Sequence, residues 1–273
     1  MNYACLHVPG CDNDLADIIM AMLPEEALLG SEVKDDEALF YFHEEQVPRD
    51  DINAILQQLH RKAFWSSIPL QNWNALWESN FPPIRIHDEL GIRAEFHPPF
   101  TDVKYDVVIT PKMSFGTGHH ETTRLMSEYL LELPCEGKSV FDFGTGTGIL
   151  AIYAAKRGAT TVLGTDNDAW SIENARENCD RNQCTHIEIS DATLPEISGP
   201  YPLILANINL NVLLDSVHEL YRLLSEGGDI LLSGVLITDE NQLSTVFEQV
   251  GFEKISTKAR KNWLALHFRK GRH

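Results

Sequence analysis

Paired cysteines, basic residues and long apolar runs are all scarce in this 273-residue chain, and each scarcity excludes a class of protein. The five cysteines are scattered, odd in number and include no Cys-x-x-Cys pair. A disulfide framework and a cysteine-based zinc site both need paired spacings, so neither is expected and no metal site is predicted. Scattered, reduced thiols are typical of a cytoplasmic protein, which is the location we predict.

Basic residues are outnumbered by acidic ones. Twenty-two Lys and Arg stand against forty Asp and Glu, which gives a formal net charge of -18. This balance argues against a nucleic-acid backbone or an anionic membrane as the main partner and permits a basic protein, although acidic charge for solubility explains it equally well. The start, MNYACLHVPGCDND, has neither a basic segment nor a long apolar run, so we expect no signal peptide and no membrane-spanning segment. Nothing in the sequence demands more than a monomer.

The residue patterns divide the chain into a small first domain and a larger second one. Strand and helix signals alternate over YACLHVP, DNDLADIIMAMLPEEAL, EALFYFHEE and DDINAILQQLHRKAF, which predicts a small α+β domain at residues 1–62. An irregular segment rich in Trp and Pro follows. We assign residues 63–80 to a linker and residues 81–273 to the second domain, with its first strands around Ile84 and Ile92.

From Lys112 onward, strand signals alternate with helix signals. The strands are KSVFDF, TVLGTD, HIEISD, PLILANI and DILLSGV, and the helices include HETTRLMSEYLLEL, ILAIYAAKRG, AWSIENARENCDRN and NVLLDSVHELYRLL. Alternation of this kind implies crossover connections and an α/β fold, with a parallel sheet covered by helices on both faces. The last two strand-like runs suit a closing antiparallel hairpin.

A glycine-rich loop lies at the first crossover. In VFDFGTGTGIL, glycines stand at alternate positions, at Gly144, Gly146 and Gly148, between a strand and a helix. Glycines here allow a sharp turn and let a ligand approach the backbone. A dinucleotide-binding loop instead reads Gly-x-Gly-x-x-Gly and holds a pyrophosphate. The different spacing, and the acid Asp142 beside the loop, favour a positively charged ligand without phosphate, such as S-adenosylmethionine.

Two further acids end the next two strands. Asp166 follows TVLGT, at the position where a carboxylate accepts both ribose hydroxyls of a bound nucleoside. Asp191 follows HIEIS and is placed to meet the adenine edge. We interpret Asp168 as a helix cap and Asp180 as part of a solvated helix face.

The segment as a whole resembles class I S-adenosylmethionine-dependent methyltransferases. Two motifs are narrower: KMSFGTGHHETTRL before the first strand and LILANINLNVL on the fourth are similar to those of the ribosomal protein L11 methyltransferase family, as is the connector QNWNALWESNFPPIRI. The resemblance spans residues 70 to 235, with a looser match over the first domain. It implies a Rossmann-like, doubly wound sheet preceded by a small N-terminal α+β domain.

The resemblance also implies an activity. Members of that family methylate a large-subunit ribosomal protein at the stalk base on its N-terminal α-amine and lysine ε-amines, and the small domain docks this substrate. Carried over to this sequence, the cofactor contacts are Thr123, Gly144, Asp166 and Asn207; the loop and the third strand add Gly146 and Asp191. The small domain is shorter than the family leads us to expect.

Asn207 is the residue to which we assign the catalytic role. It ends the fourth strand, where its side-chain oxygen and nearby carbonyls would accept hydrogen bonds from an incoming amine and aim the lone pair at the methyl group. The motif Asn-Pro-Pro-Tyr/Phe is missing at this position, so an aliphatic amine fits better than a flat acceptor. His119 and His120 are candidate bases by their usual pKa, but a capping or packing role is the preferred interpretation.

Three alternatives remain open on the sequence. A nicotinamide-dependent oxidoreductase is opposed by the glycine spacing, and a non-enzymatic adaptor with a relic cofactor pocket is opposed by the intact loop, Asp166 and Asn207. A methyltransferase for another basic protein or amine is not excluded.

Overall fold

A computed structural model describes residues 2–23, 28–34, 37–44, 47–69, 82–110 and 116–271. The chain divides into two units, Met1–Asn80 and Phe81–His273. Residues 111–115, which include the first four residues of the motif KMSFGTGHHETTRL, and most of the Trp-rich connector lie outside the described residues.

The first unit is an antiparallel sheet with two helices. Its strands are β1 (Asn2–Pro9), β2 (Leu28–Lys34), β3 (Glu37–His43) and β4 (Phe64–Pro69), in the order β2-β3-β1-β4. Helices α1 (Asn13–Met22) and α2 (Arg49–Gln58) complete it. Alternate strand residues, including Leu6, Phe40 and Phe42, are fully buried and pack with Ile19 and Ile52 of the helices, as strand and helix periodicity require.

Two predictions for this unit are wrong at their boundaries. The linker was predicted to begin at residue 63, but residues 64–69 form β4, which pairs with β1 and belongs to the first sheet. The first helix was predicted to extend to Leu28, but it ends at Met22, and Leu28 begins β2. β4 is recognisable only through its pairing with β1, far earlier in the chain, and local patterns carry no information about such a partner. The helix ends before Leu23, whose extended backbone is expected of a residue that precedes a proline. This helix begins with a side-chain cap, since the Asp12 carboxylate accepts a hydrogen bond from the Leu15 N–H at 2.9 Å.

The second unit is built on a seven-stranded sheet. Its strands are β8 (Ser139–Phe143), β9 (Thr161–Thr165), β10 (Ile187–Ser190), β11 (Tyr201–Asn207), β12 (Leu224–Leu236), β13 (Phe252–Arg260) and β14 (Trp263–Lys270). The order is β10-β9-β8-β11-β12-β14-β13. The first five strands in this order run parallel, and β14 is antiparallel to both its neighbours. The predicted parallel sheet and closing hairpin are confirmed.

Helices cover both faces of this sheet. They are α3 (Glu121–Glu132), α4 (Ile149–Lys156), α5 (Ala169–Arg181), α6 (Leu210–Leu223) and α7 (Glu240–Val250). One apolar core contains residues of α3, α4 and α5, and a second core contains residues of α6 and α7. Residues 149–155 of α4 are all buried, because this helix lies inside the first core and exposes no polar face.

A small sheet precedes the large one. Strands β5 (Ile84–Ile86), β6 (Leu90–Arg93) and β7 (Tyr105–Val108) form it; the first two were predicted and the third was not. Among the residues that the structure describes, no helix is long and apolar enough to cross a lipid bilayer.

Candidate active site

A cavity of about 820 Å³ opens at the carboxyl ends of the parallel strands of the second unit. The turns after β8, β9, β10 and β11 converge there, which is the usual ligand position in an open α/β sheet. Five predicted residues line it together: Gly144, Gly146, Asp166, Asp191 and Asn207. Lining residues that sequence reasoning did not assign include Phe143, Asn167, Ser171, Thr193, Leu194, Ile208, Asp215, Glu219, Gly234 and Trp263.

The three glycines of the loop adopt conformations that favour glycine. Their φ angles are 73° at Gly144, 56° at Gly146 and 80° at Gly148. At Gly144 a second requirement applies, because a Cβ atom there would lie 2.2 Å from Cγ2 of Ile208. The first glycine of the motif is therefore required as much by the neighbouring strand end as by a ligand.

The amide groups of the loop are already engaged. The N–H groups of Gly144 and Thr145 both donate to the carbonyl oxygen of Thr165, each at 2.9 Å. The Gly146 N–H donates to Oδ2 of Asp166 at 2.9 Å. A pyrophosphate bound at a glycine loop needs such N–H groups to be unengaged, so this loop is not arranged to hold one.

Asp166 connects the loop to the next helix. Besides the bond from Gly146, its Oδ1 accepts the Asp168 N–H at 3.1 Å. A carboxylate has about four acceptor positions, so Asp166 retains acceptor capacity toward the cavity. Asp168 caps α5 by accepting the Ser171 N–H at 3.0 Å, which confirms its interpretation as a helix cap. Asp180 is exposed, as predicted.

Asp142 lies buried behind the loop, outside the cavity lining. Its Oδ2 accepts the hydroxyl of Thr145 at 2.7 Å, and the backbone N–H of Ala151, in the first turn of α4, also faces the carboxylate. Burial raises the pKa of Asp142 to about 7, because a charge is costly in an apolar interior. This acid therefore supports the loop from beneath and makes no direct contact with the cavity.

The two asparagine side chains of the Asn207-Ile208-Asn209 segment make different contacts. Asn207 is 8% exposed and lines the cavity, and its Oδ1 is buried with no hydrogen-bond partner in the described structure. An unsatisfied buried acceptor is costly, so this oxygen is prepared to accept a donor from a ligand. Asn209 also lines the cavity, but its Oδ1 caps α6 by accepting the Val212 N–H at 3.1 Å.

His120 and Trp263 form one wall of the cavity. The ring of His120 caps α3 by accepting the Thr122 N–H, which confirms the capping interpretation, and it meets the Trp263 ring edge-on at 4.6 Å between centroids. Burial lowers the pKa of His120, which favours the neutral ring. Glu121 pairs with Arg260 and Lys261, which anchors the hairpin that carries Trp263. No local signal in the sequence indicated that this hairpin reaches the cavity.

Thr123 is the exception among the predicted residues. Its side chain is fully buried in the first turn of α3, its hydroxyl has no hydrogen-bond partner within the described structure, and it does not line the cavity. Sequence resemblance selected a motif that reaches the cavity, but the residue of this motif that lines it is His120, the N-cap of α3.

The sheet order, the glycine loop after the first strand and the carboxylate after the second define a class I methyltransferase fold. The model of the family "Ribosomal protein L11 methyltransferase (PrmA)" matches residues 13–271. The chain therefore belongs to the ribosomal protein L11 methyltransferase family, and the match includes most of the first unit. Membership in a methyltransferase family implies S-adenosylmethionine as methyl donor.

Individual relatives agree with this assignment. The ribosomal protein L11 methyltransferase of Porphyromonas gingivalis is 44% identical over 226 residues, which cover 80% of this chain and 78% of the relative. That of Bacteroides fragilis is 32% identical over 266 residues, covering 94% and 95%. The crystal structure of ribosomal protein L11 methylase from Lactobacillus delbrueckii subsp. bulgaricus superposes with a TM-score of 0.63 at 30% identity, over 69% of this chain and 98% of that one.

Proposed function

We propose that this chain transfers methyl groups from S-adenosylmethionine to the N-terminal α-amine and lysine ε-amines of the large-subunit ribosomal protein L11. The observation that carries the proposal is one cavity that brings together the glycine loop, the Asp166 carboxylate and the buried, unpartnered amide oxygen of Asn207. The relatives' names supply the substrate, and the cavity supplies groups suited to a methyl donor and to an amine.

Gly144, Gly146, Asp166 and Asp191 are the residues we assign to the methyl donor. The Asp166 carboxylate keeps acceptor positions for two ribose hydroxyls. Asp191 lines the same cavity just after β10, and we assign it to the adenine edge. The loop glycines present bare backbone to the ligand. When bound, S-adenosylmethionine supplies a methyl group already activated by a positively charged sulfur.

Asn207 is the residue we assign to the acceptor amine. Its unpartnered Oδ1 would accept an N–H hydrogen bond and so aim the nitrogen lone pair. A lysine amine has an ordinary pKa of about 10.4 and must lose a proton before it reacts. Phe143, Ile208 and Trp263 line the same cavity, and desolvation by such apolar groups lowers the pKa of an ammonium ion.

The first unit is the part we assign to docking of the protein substrate. All the cavity residues follow residue 110, whereas the first unit has its own sheet, helices and core. Because the substrate is a ribosomal protein, we expect the reaction to occur in the cytoplasm. We also propose that the active form is a monomer. A basic protein suits the chain's net charge of -18.

The test is a transfer assay with radiolabelled S-adenosylmethionine and ribosomal protein L11 from cells that lack its methyltransferase. We expect label on L11, and mass spectrometry of the product should locate it on the α-amine and lysines. Label on another basic protein, with none on L11, would instead support the alternative substrate.

A second measurement addresses the other two alternatives. Titration with S-adenosylhomocysteine and with NADH should show binding of the first and none of the second, since the loop N–H groups are already engaged. Tight NADH binding would contradict the methyltransferase proposal. Cofactor binding without any transfer would favour an adaptor.

A further inference from the structure

Asparagines stand four residues apart at positions 174, 178 and 182, the first two on α5 and the third directly after its last residue, so they share one helix face. The two later ones bind the backbone beside β7. Asn182 accepts the Val108 N–H at 3.0 Å and donates to the Val108 carbonyl at 2.7 Å. Asn178 accepts the Thr110 N–H at 2.9 Å. Both side chains therefore join the end of α5 to residues 108–110, at and just after the end of β7.

Asn178 makes one contact that Asn182 does not make. Its Nδ2 donates at 2.9 Å to the carbonyl oxygen of Thr147, which stands between the last two glycines of the loop. Asn178 and Thr147 are both fully buried, so water does not compete for this hydrogen bond. Asn178 thus hydrogen-bonds both to the glycine loop, at Thr147, and to Thr110.

Thr147 extends the connection to the other wall of the cavity. Its hydroxyl donates to the carbonyl oxygen of Gly116 at 2.6 Å. The fit is close, since a Cβ atom at Gly116 would lie 2.9 Å from the Thr147 hydroxyl oxygen. Gly116 stands four residues before His120, which lines the cavity, and Gly146 next to Thr147 also lines it. One threonine therefore contacts both the loop and the chain leading to His120.

We infer that Asn178 is a positioning residue that acts through Thr147. It determines where the glycine loop lies relative to the Gly116–His120 segment. It therefore determines how closely the glycine loop and His120, which both line the cavity, fit one bound S-adenosylmethionine. The cavity lining does not include Asn178 or Thr147, so neither would touch the ligand. This inference deepens the proposed function and rests on it for the identity of the donor.

Asn178→Ala and Asn182→Ala form a matched pair for the test. Each removes a buried carboxamide from the same helix face, but only the first releases the loop. We expect both to lower Tm, while Asn178→Ala weakens S-adenosylhomocysteine binding about tenfold and Asn182→Ala about twofold or less, as loss of a preorganised hydrogen bond implies. In Asn178→Ala, kcat should fall while KM for the ribosomal protein stays within about twofold, because docking lies elsewhere. Equal affinities in the two variants would overturn the inference.

A second pair keeps the inference testable if an asparagine variant does not fold. Thr147→Val retains the branched shape and loses the hydroxyl, whereas Thr147→Ser retains the hydroxyl. We expect the Ser variant to bind S-adenosylhomocysteine several-fold more tightly than the Val variant; equal binding would overturn the inference. A wild-type chain that binds S-adenosylhomocysteine but methylates no ribosomal protein would refute the proposed substrate, and the affinities would still decide the role of Asn178.

Discussion

The two units of the chain use their sheets differently. In the first unit, alternate residues of β3 are fully buried, while Leu39 and Tyr41 between them are only partly buried. In the second unit, residues 203–207 of β11 are buried without alternation, because helices cover both faces. A sheet covered on both faces gives strand ends a rigid frame for a small ligand, whereas a partly exposed face is suited to contact with a macromolecule.

Removal of the first unit is the strongest test of this comparison. A chain that starts at Phe81, where the second unit begins, retains the whole cavity. We expect S-adenosylhomocysteine affinity within about threefold of the full chain, but a loss of about 10²–10⁴ in kcat/KM for the ribosomal protein, since docking supplies effective concentration. Circular dichroism should first establish that the shortened chain is folded. Undiminished methylation by a folded, shortened chain would assign docking to the second unit.

Asp142, which lies in the second unit, should make the stability of that unit depend on pH. Its pKa is raised to about 7 in the folded state, against about 3.9 when unfolded. Between these values the folded state holds the proton that the unfolded state loses, so stability falls as pH rises from about 4 to about 7. Relative to Asp142→Asn, the wild-type chain should lose about 3 kcal/mol over this range.

The measurement is denaturant unfolding of both chains at several pH values. The difference between them isolates Asp142 from other titrating groups. Parallel stability curves for the two chains would contradict the placement of Asp142 as a buried, neutral acid.

Asp166→Ala should weaken binding of S-adenosylmethionine by about 2–3 kcal/mol, because ribose hydroxyls lose a charge-assisted acceptor. The change also removes the acceptor of the Gly146 N–H, so the loop loses one of its attachments. Calorimetry measures the affinity, and Asp168→Ala is a suitable control because it removes a carboxylate that caps α5 without lining the cavity. Equal effects of the two substitutions would show that Asp166 acts on stability alone.

Asn207→Ala should reduce kcat about tenfold and alter cofactor affinity less, because its Oδ1 is assigned to the acceptor amine. Kinetics at saturating S-adenosylmethionine and ribosomal protein measure the effect. Asn209→Ala is the comparison: it removes the cap of α6, so it should lower stability by about 1 kcal/mol. Normal turnover in a folded Asn207→Ala chain would remove Asn207 from the mechanism.

Much of the second unit could be predicted because the relevant signals are local. Strand VFDF, the alternate glycines and helix ILAIYAAKRG follow one another directly, so the loop and its position need no knowledge of distant residues. Asp166 and Asp191 could be placed for the same reason, since each directly follows a strand and parallel strands end at one edge. The first unit was harder, because β4 is recognisable only through its pairing with β1.

The sequence by itself determined the α/β order, the glycine loop, the two strand-end acids and Asn207, because each depends on neighbours along the chain. Only the tertiary structure decided that Ile208 packs against Gly144, that Trp263 meets His120 and that Asn178 holds Thr147. The same holds for Thr123, which is fully buried outside the cavity lining although His120 of the same motif lines it. These contacts join residues that are distant in sequence, and close packing of sheet and helices selects them, so no local pattern records them.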